Sequence, residues 1–387
     1  MSELNSFAAG LKVLDLSQYI PGPLAGLLLA DMGADVLKIE PPNGDEMQNL
    51  GPRDADGRSI FYRVLNAGKR CFRVNLKTAE ERAELLELVA DADILIEGFR
   101  PGVMARLGLD YATLSAINAR LIYCSISGYG AGGPMAKSAG HDGNYLALAG
   151  VLHRNGYDRP VVYDPPVADM SGALFATIAI LGAVNARHAT GKGCAIDLAL
   201  ADVIMPLQLL QIADYGVNRT VPARAETYLN GGAAYYQVYP TADGRFVMLG
   251  SVEPKFWVAF CEAAGRPDWI ARQREALPQA GLIADLTEYF GALPLDECLA
   301  RFAQADCCIS PVLDLAEALR LDRVSERRLV RRSAQGELEA VFPALINGKA
   351  PQARTSIQSA DDTFLKPAWS EDASAVLAPS RPQTAAR

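Results

Sequence analysis

The sequence predicts an α/β fold with a mostly parallel sheet and a second, smaller region, and three observations predict it. Over the first 130 residues, short apolar runs alternate with segments of helical periodicity, the rhythm of strand–helix–strand units. Near residue 217 the texture changes to a stretch rich in Gly, Pro and Tyr that reads as linker and hairpin. Half of the 387 residues are hydrophobic, enough core for one large domain or two moderate ones.

The elements follow in order. "LKVLDL" (11–16) is a short β-type run, and "GPLAGLLLADMG" (22–33) a small-residue helix with Pro23 near its first turn and Gly33 at its end. "ADVLKIE" (34–40) and "CFRVNL" (71–76) are strands. In "KTAEERAELLELVADA", Leu85, Leu86 and Val89 recur at helical spacing. "DILIEGF" (93–99) and "LIYCSISGYG" (121–130) are strands again. Ligands in such sheets bind at the C-terminal ends of the strands, but no GxGxxG follows the first strand, so an ordinary dinucleotide site is not supported. Residues 140 to 216 are mostly helical: a long helix stopped by Gly191 and Gly193, a strand in "CAIDLAL", and a helix interrupted at Pro206. "TADG" is a turn between two short strands, "EPKFWVAFCEAAG" opens a helix, and after about residue 330 regularity falls toward a Pro-, Ala- and Ser-rich tail. There is no internal repeat.

The formal net charge of −8 argues against a broad surface for a nucleic-acid backbone, while leaving room for a local basic pocket that takes a phosphorylated small molecule. Seven cysteines, an odd count without a regular framework, fit reduced thiols in a cytoplasmic protein. Adjacent Cys307 and Cys308 lack any CxxC or Cys/His ligand spacing, and no metal is expected. No signal peptide is read at the N-terminus. The most apolar stretch, "ALFATIAILGAVNA", reads as a buried helix rather than a membrane span.

Few residues can carry chemistry. The chain has three histidines. His141, in "AGHDGNYLALAG", is either a polar loop residue beside an aspartate that caps the next helix, or an acid/base group, which the ordinary imidazole pKa permits. His188 falls in the last turn of a helix, where a cation suits the dipole, and His153 has no companion feature. Asp169, in "DPPVADMSGALF", stands where an apolar helix begins, and reads as a helix cap or as a base or nucleophile. Glu253, in "GSVEPKF", lies at a strand-to-helix junction, where first-turn electrostatics also explains it. Lys38 ends a strand, "NAGKRCFRVNLK" carries Lys69, Arg70, Arg73 and Lys77, and "EGFRPGVMARLG" carries Arg100 and Arg106. As a set at strand ends these cations favour an anion site; singly each is a solvated face.

The segments "LKVLDLSQYIPGPLAGLLLADMGADVLKIEPPNGD", "NLK", "ADILIEGFRPGVMARLGLDYATL", "LIYCSISGYGAGGP" and "TGKGCAIDLALADV" together resemble the class III CoA-transferase family (CaiB/BaiF-like), over most of the first 215 residues. "GHDGNYLALAGVL" and "GGAAYYQVYPTADGRFVMLGSVEPKF" are similar to its α-methylacyl-CoA racemase branch. The wording of "YDPPVADMSG" is closer to the transferases. The resemblance implies a large Rossmann-like CoA-binding domain from residues 1–216 and 325–387 and a smaller α+β domain from 217–324. It also implies an interlocked homodimer.

In the racemase pattern, the resemblance implies His141 and Asp169 as the acid/base pair, with Glu253 as supporting carboxylate. Lys77, Arg100 and Arg106 would hold the phosphates and adenine end of CoA, with Lys38 a further candidate. The substrate is then an acyl-CoA thioester, with no cofactor beyond its CoA moiety, no nucleic acid and no membrane partner. A thioester acidifies the carbon beside its carbonyl, and the enolate needs donors where charge develops; backbone N–H groups near Gly143 or Met170 are candidates. In the transferase alternative Asp169 is a nucleophile that forms a mixed anhydride and then an aspartyl-CoA thioester, and His141 only lines the site. A CoA-ester binding protein without turnover is a third reading; the retention of His141, Asp169, Glu253 and the basic set argues against it.

Overall fold

Strands β1 (Lys12–Leu16), β2 (Asp35–Glu40), β3 (Arg70–Arg73), β4 (Ile94–Glu97), β5 (Ile122–Ser127) and β6 (Ala195–Ala199) form one sheet in the order β3-β2-β1-β4-β5-β6, every neighbouring pair parallel. A two-residue strand, Gln358–Ser359, extends the β3 edge in the same direction. The computed structural model describes residues 3–333 and 336–359; the Pro-, Ala- and Ser-rich tail lies outside them.

Helices α1 (Pro21–Asp31), α2 (Ile60–Asn66), α3 (Ala79–Asp91), α4 (Val103–Leu107) and α5 (Tyr111–Ile117) connect the first five strands. On one side of the sheet, Leu14, Leu37 and Leu95 pack with Leu85 and Val89 of α3, Met104 of α4 and Leu114 of α5 in a single buried cluster. Helix α6 (Asp142–Leu148), short α7 (Val151–Arg154) and α8 (Val167–Thr190) follow β5, and α8 packs against α1, β5 and β6. By length and composition α8 is long and apolar enough to cross a membrane. It runs past the apolar stretch that stood out in the sequence at both ends, by Val167–Gly172 at its N-terminus and by Arg187–Thr190 at its C-terminus. In its first half the buried residues are small, Ala168, Ser171, Gly172, Ala173, Ala176 and Thr177, and let it approach α1 and the sheet closely; Ile180 and Arg187 are buried further along.

Sequence and structure part company at a few elements. Helix α2 was not anticipated; Ser59 starts it by accepting the Tyr62 N–H (3.2 Å). The helix expected to break at Pro206 breaks two residues later: α9 (Ile204–Leu207) ends before Gln208, and α10 (Leu209–Asn218) follows.

A second compact unit comprises Leu146–Tyr163 and Gln208–Leu321. Strands β7 (Tyr236–Pro240), β8 (Phe246–Gly250) and β9 (Ile309–Pro311) make an antiparallel sheet, with the 241–244 turn between the first two as expected. Helices α11 (Pro254–Ala263), α12 (Ala280–Gly291) and α13 (Leu295–Phe302) enclose an aromatic core in which Phe260 stacks on Trp269, Phe290 and Phe302. Residues 146–163, which the sequence reading left in the large domain, fall in this second unit, and its limits lie at 208 and 321 rather than 217 and 324. The reason is hydrogen bonding: Gln208 donates to Ala149 O (2.9 Å), Arg224 to the carbonyls of His153 and Tyr157, Asn230 to Arg154 O, and Tyr157 Oη to Gln237 (2.6 Å).

Within the first unit, charges are buried at the C-terminal end of β1. Asp15, Lys38 and Lys69 are wholly inaccessible. Lys69 Nζ donates to Asp15 (2.8 Å), to Pro23 O (2.7 Å) and to Asn66 Oδ1 (3.0 Å). Lys38 Nζ donates to Asp45 (2.8 Å) and to Ser17 O, and Asp15 accepts both the N–H and the hydroxyl of Ser17. Burial works to raise the Asp15 carboxyl, but the charges of Lys69 and Lys38 outweigh it and hold it at about 2. Lys69 moves the other way, down to about 8, because burial and the neighbouring Lys38 outweigh the attraction of Asp15. Lys38 is raised: burial lowers it, but Asp15 and Asp45 more than compensate.

Removing one partner from such a cluster strands the others. Asp15→Ala is expected to destabilise the chain by about 3–5 kcal/mol, read as a fall in the denaturant midpoint. Asp110→Ala, which removes only the surface cap of α5, should cost about 1 kcal/mol. Equal small losses in the two variants would show that the Asp15 cluster carries no such weight.

Candidate functional site

Where β1, β4 and β5 end, their loops enclose a cleft of about 360 Å³ within the first unit. Strand β1 is followed in space by β2 on one side and β4 on the other, so the cleft opens at the point where the strand order reverses, the place where open parallel sheets bind ligands. Ser17, Gly98 and Gly128 come from the three strand ends, and His141 and Asp169 line the same space.

The stretch 140–145 is organised around itself. His141 directly precedes α6; its backbone N–H donates to Asn144 Oδ1 (3.0 Å) and its carbonyl accepts the Asn144 N–H (2.8 Å). Tyr145 is buried and its hydroxyl donates to Gly140 O (2.6 Å). A Cβ at Gly140 would lie 2.6 Å from Tyr129 Oη and 2.9 Å from a ring carbon of Tyr145, so any larger residue here would have to displace those rings. These contacts leave the imidazole exposed in the cleft, edge-on to the Tyr19 ring at 6.5 Å between centroids. Tyr19 has a left-handed backbone (φ 64°), a conformation strained for a bulky residue.

Asp169 is the third residue of α8 and is half-buried. It caps nothing. The aspartate expected to cap its own helix, Asp142, caps α8 instead: its Oδ1 accepts the N–H groups of Ala168 (2.6 Å) and Asp169 (3.1 Å). α8 begins after Pro166, which offers no side-chain cap, and Asp142 fills that role from another helix. Burial pushes the Asp169 carboxyl up, the adjacent Asp142 charge pushes it further, and His141 pulls slightly back, leaving it at about 6. The cleft therefore pairs an accessible imidazole with a carboxyl poised to gain or lose a proton near neutrality.

The remaining sequence candidates divide. Arg100 lines the cleft. Arg106, in α4, and Lys77, in the turn after β3, are exposed but not part of its lining. Lys38 is withdrawn from the anion set: it is fully buried and its ammonium is committed to Asp45 and Ser17. Lys69 is structural for the same reason. Arg73 lines a second, larger cleft of about 1000 Å³ at the ends of β2 and β3, together with Glu40, Arg53, Arg58 and Tyr62. Glu253 belongs to the second unit, exposed at the start of α11 without capping it by its side chain. Of the two backbone donors considered, Met170 N–H is spent on Pro166 O (3.0 Å), which leaves Gly143, at the start of α6. Sequence reasoning missed Tyr19, Asn144 and Tyr145; for the last two the signal available was the run "GHDGNY", in which Asn144 pairs with His141 and Tyr145 with Gly140.

A family model described as CoA-transferase family III matches residues 8–359. The chain is 33% identical over 352 residues to the acetyl-CoA:oxalate CoA-transferase of Acetobacter aceti, covering 88% of this chain and 89% of that protein. It is 33% identical over 346 residues to the alpha-methylacyl-CoA racemase of Homo sapiens, covering 88% and 87%. Its fold is similar to the crystal structure of a CAIB/BAIF family protein from Brucella suis, with a TM-score of 0.80 at 29% identity over 93% of this chain and 97% of that one.

A carboxyl raised on folding costs stability once it ionises. The sign is fixed by the unfolded value, ~3.9: below that pH Asp169 is neutral in both states, and stability is lost as pH rises toward about 6. Asp169→Asn should therefore melt above the wild type at pH 8 and together with it at pH 3.5, measured by thermal denaturation. A variant that melts below the wild type at both pH values would contradict this assignment.

Proposed function

The chain belongs to CoA-transferase family III, an enzyme family whose members act on acyl-CoA thioesters, and from that premise we propose that it racemises 2-methylacyl-CoA thioesters through an enolate. The observation that supports this reading is the shared cleft: two proton-transfer groups of different kind, His141 and Asp169, borne on separate segments, line one space at the sheet's switch point. Inversion at the α-carbon needs a base on one face and an acid on the other. One group takes the α-proton, and the C–H electron pair passes into the thioester carbonyl to give an enolate. The other group returns a proton to the opposite face and the carbonyl re-forms. The two groups end with exchanged protonation, ready for the reverse reaction.

A carboxylate is a poor base for such a carbon at its ordinary pKa, and the rise of Asp169 to about 6 brings it nearer the imidazole in strength. In this reading the Gly143 N–H faces the enolate oxygen, Glu253 serves as a supporting carboxylate, and Arg100 with Lys77 and Arg106 holds the CoA phosphates. No cofactor beyond the CoA moiety is called for. We expect the chain to work in the cytoplasm as the homodimer that the family resemblance implies. The exposed apolar residues of α10, among them Leu209, Leu210, Ile212 and Val217, are a face that a second copy would cover.

The alternative is acyl-CoA:carboxylate CoA transfer. It is favoured by the half-buried carboxylate that lines the cleft at the start of α8 and by the likeness to a CoA-transferase over as much of the chain as to a racemase. Here Asp169 attacks the thioester carbonyl and expels CoA thiolate. The thiolate then attacks the Asp169 carbonyl of the mixed anhydride, releasing the carboxylate product and leaving an aspartyl-CoA thioester.

Two experiments test these readings. His141→Ala, given (R)- and (S)-2-methylacyl-CoA in D₂O, should lose epimer interconversion by roughly 10²–10⁴-fold. If wild type introduces no α-deuterium yet forms a new acyl-CoA from a carboxylate panel, the racemase reading fails and transfer stands in its place. Arg100→Ala should raise KM for acyl-CoA more than it lowers kcat, since a phosphate contact acts on ground and transition states alike; an unchanged KM would move the anion site elsewhere.

A further inference from the structure

We propose that Asp142 is a positioning residue for Asp169, a role that rests on reading Asp169 as the working carboxyl. Its carboxylate leaves its own helix and holds the first turn of α8, accepting the Ala168 and Asp169 N–H groups. Two consequences follow from that geometry. First, Asp142 and His141 are neighbours in the chain, so the bond to α8 ties the imidazole-bearing segment to the helix that carries Asp169. Second, the exposed N–H groups at the start of a helix would ordinarily stabilise a carboxylate there and lower its pKa. Asp142 takes two of these donors for itself and adds a negative charge beside Asp169.

The groups that act on Asp169 bear this out. Burial and Asp142 raise it, and only His141 opposes them. Tyr145 of α6 and Arg100 line the same cleft. Among the elements packed on α8, α1 offers only Asp31, which is paired with Arg354. Strand β5 brings Tyr123 and Cys124, and β6 brings Asp197, which accepts the Ala131 N–H.

Asp142→Asn separates the two contributions, because the amide oxygen still accepts the N–H groups while the charge is gone. The full chain, labelled with ¹³C at aspartate carboxyls and assigned by comparison with Asp169→Asn, gives the Asp169 titration directly. In Asp142→Asn the midpoint should fall by roughly one pH unit, and the acid limb of kcat/KM for α-proton exchange should fall with it while KM stays within about twofold. Asp142→Ala removes the tether as well, and should show the same fall with a further loss in kcat of about tenfold or more. Should the Asn variant not fold, Asp142→Ser supplies an uncharged acceptor with the same expected shift. A folded variant in which both midpoint and limb stay at the wild-type position overturns the proposal. The reading of Asp169 fails separately, if Asp169→Asn retains exchange and transfer, because the ¹³C titration still reports what Asp142 does to its carboxyl.

Discussion

The buried charge cluster at the end of β1 is the constraint on which the first unit turns. Asp15 lies on the central strand, inaccessible to water, and a carboxylate there survives only because Lys69 reaches it from the start of β3 and because Ser17, on the loop that follows, donates to it twice. Lys38, from β2, completes the arrangement by holding Ser17 O and Asp45. Each cation also binds backbone or amide oxygen, so β1, β2, the first turn of α1 and the end of α2 are fixed to one another at a single point. Replacing such a cluster with well-packed apolar residues need not cost stability. What a hydrophobic core could not supply is the directional hold on the Ser17 carbonyl and N–H, and Ser17 is where the cleft begins.

From that fixed edge the site is assembled out of loops. The β1 loop brings Tyr19 to His141 in a strained backbone conformation, and strain of this kind persists where the surroundings over-determine it. α6 and α8 are then joined by a side chain: Asp142 of one helix satisfies the N-terminus of the other. The same contact sets two carboxyl groups close together, which a structure selected for stability alone would avoid. The unfavourable proximity is consistent with a site tuned for proton or acyl chemistry, where perturbed carboxyls are useful.

In both proposed readings, racemisation and CoA transfer, the first demand on this architecture is the same: an acyl-CoA thioester brought against Asp169. They diverge on whether Asp169 meets the α-proton or the carbonyl carbon, a matter of placement within the cleft, and on whether His141 takes part. One fold thus accommodates both chemistries without a change of scaffold, since function resides in the site and its substrate rather than in the sheet.

The rhythm of the sheet, the long helix after Asp169 and the hairpin around residue 242 were legible in the sequence, because apolar periodicity reports the burial of an element by itself. His141 and Asp169 also stood out, one as a rare residue beside glycines and the other as a carboxylate at a helix start, and family-like motifs placed them together. Tertiary structure alone decided which charges are ligand candidates and which are scaffold. Lys38 and Arg100 both look like cations at strand ends, yet one is sealed against Asp45 and the other faces the cleft. Lys69 finds Asp15 across 54 residues, and Asp142 finds the start of α8 across 26. Pairings of that kind depend on strand order and helix placement, which no local pattern encodes, and so the roles of Lys38, Lys69 and Asp142 appear only once the chain has folded.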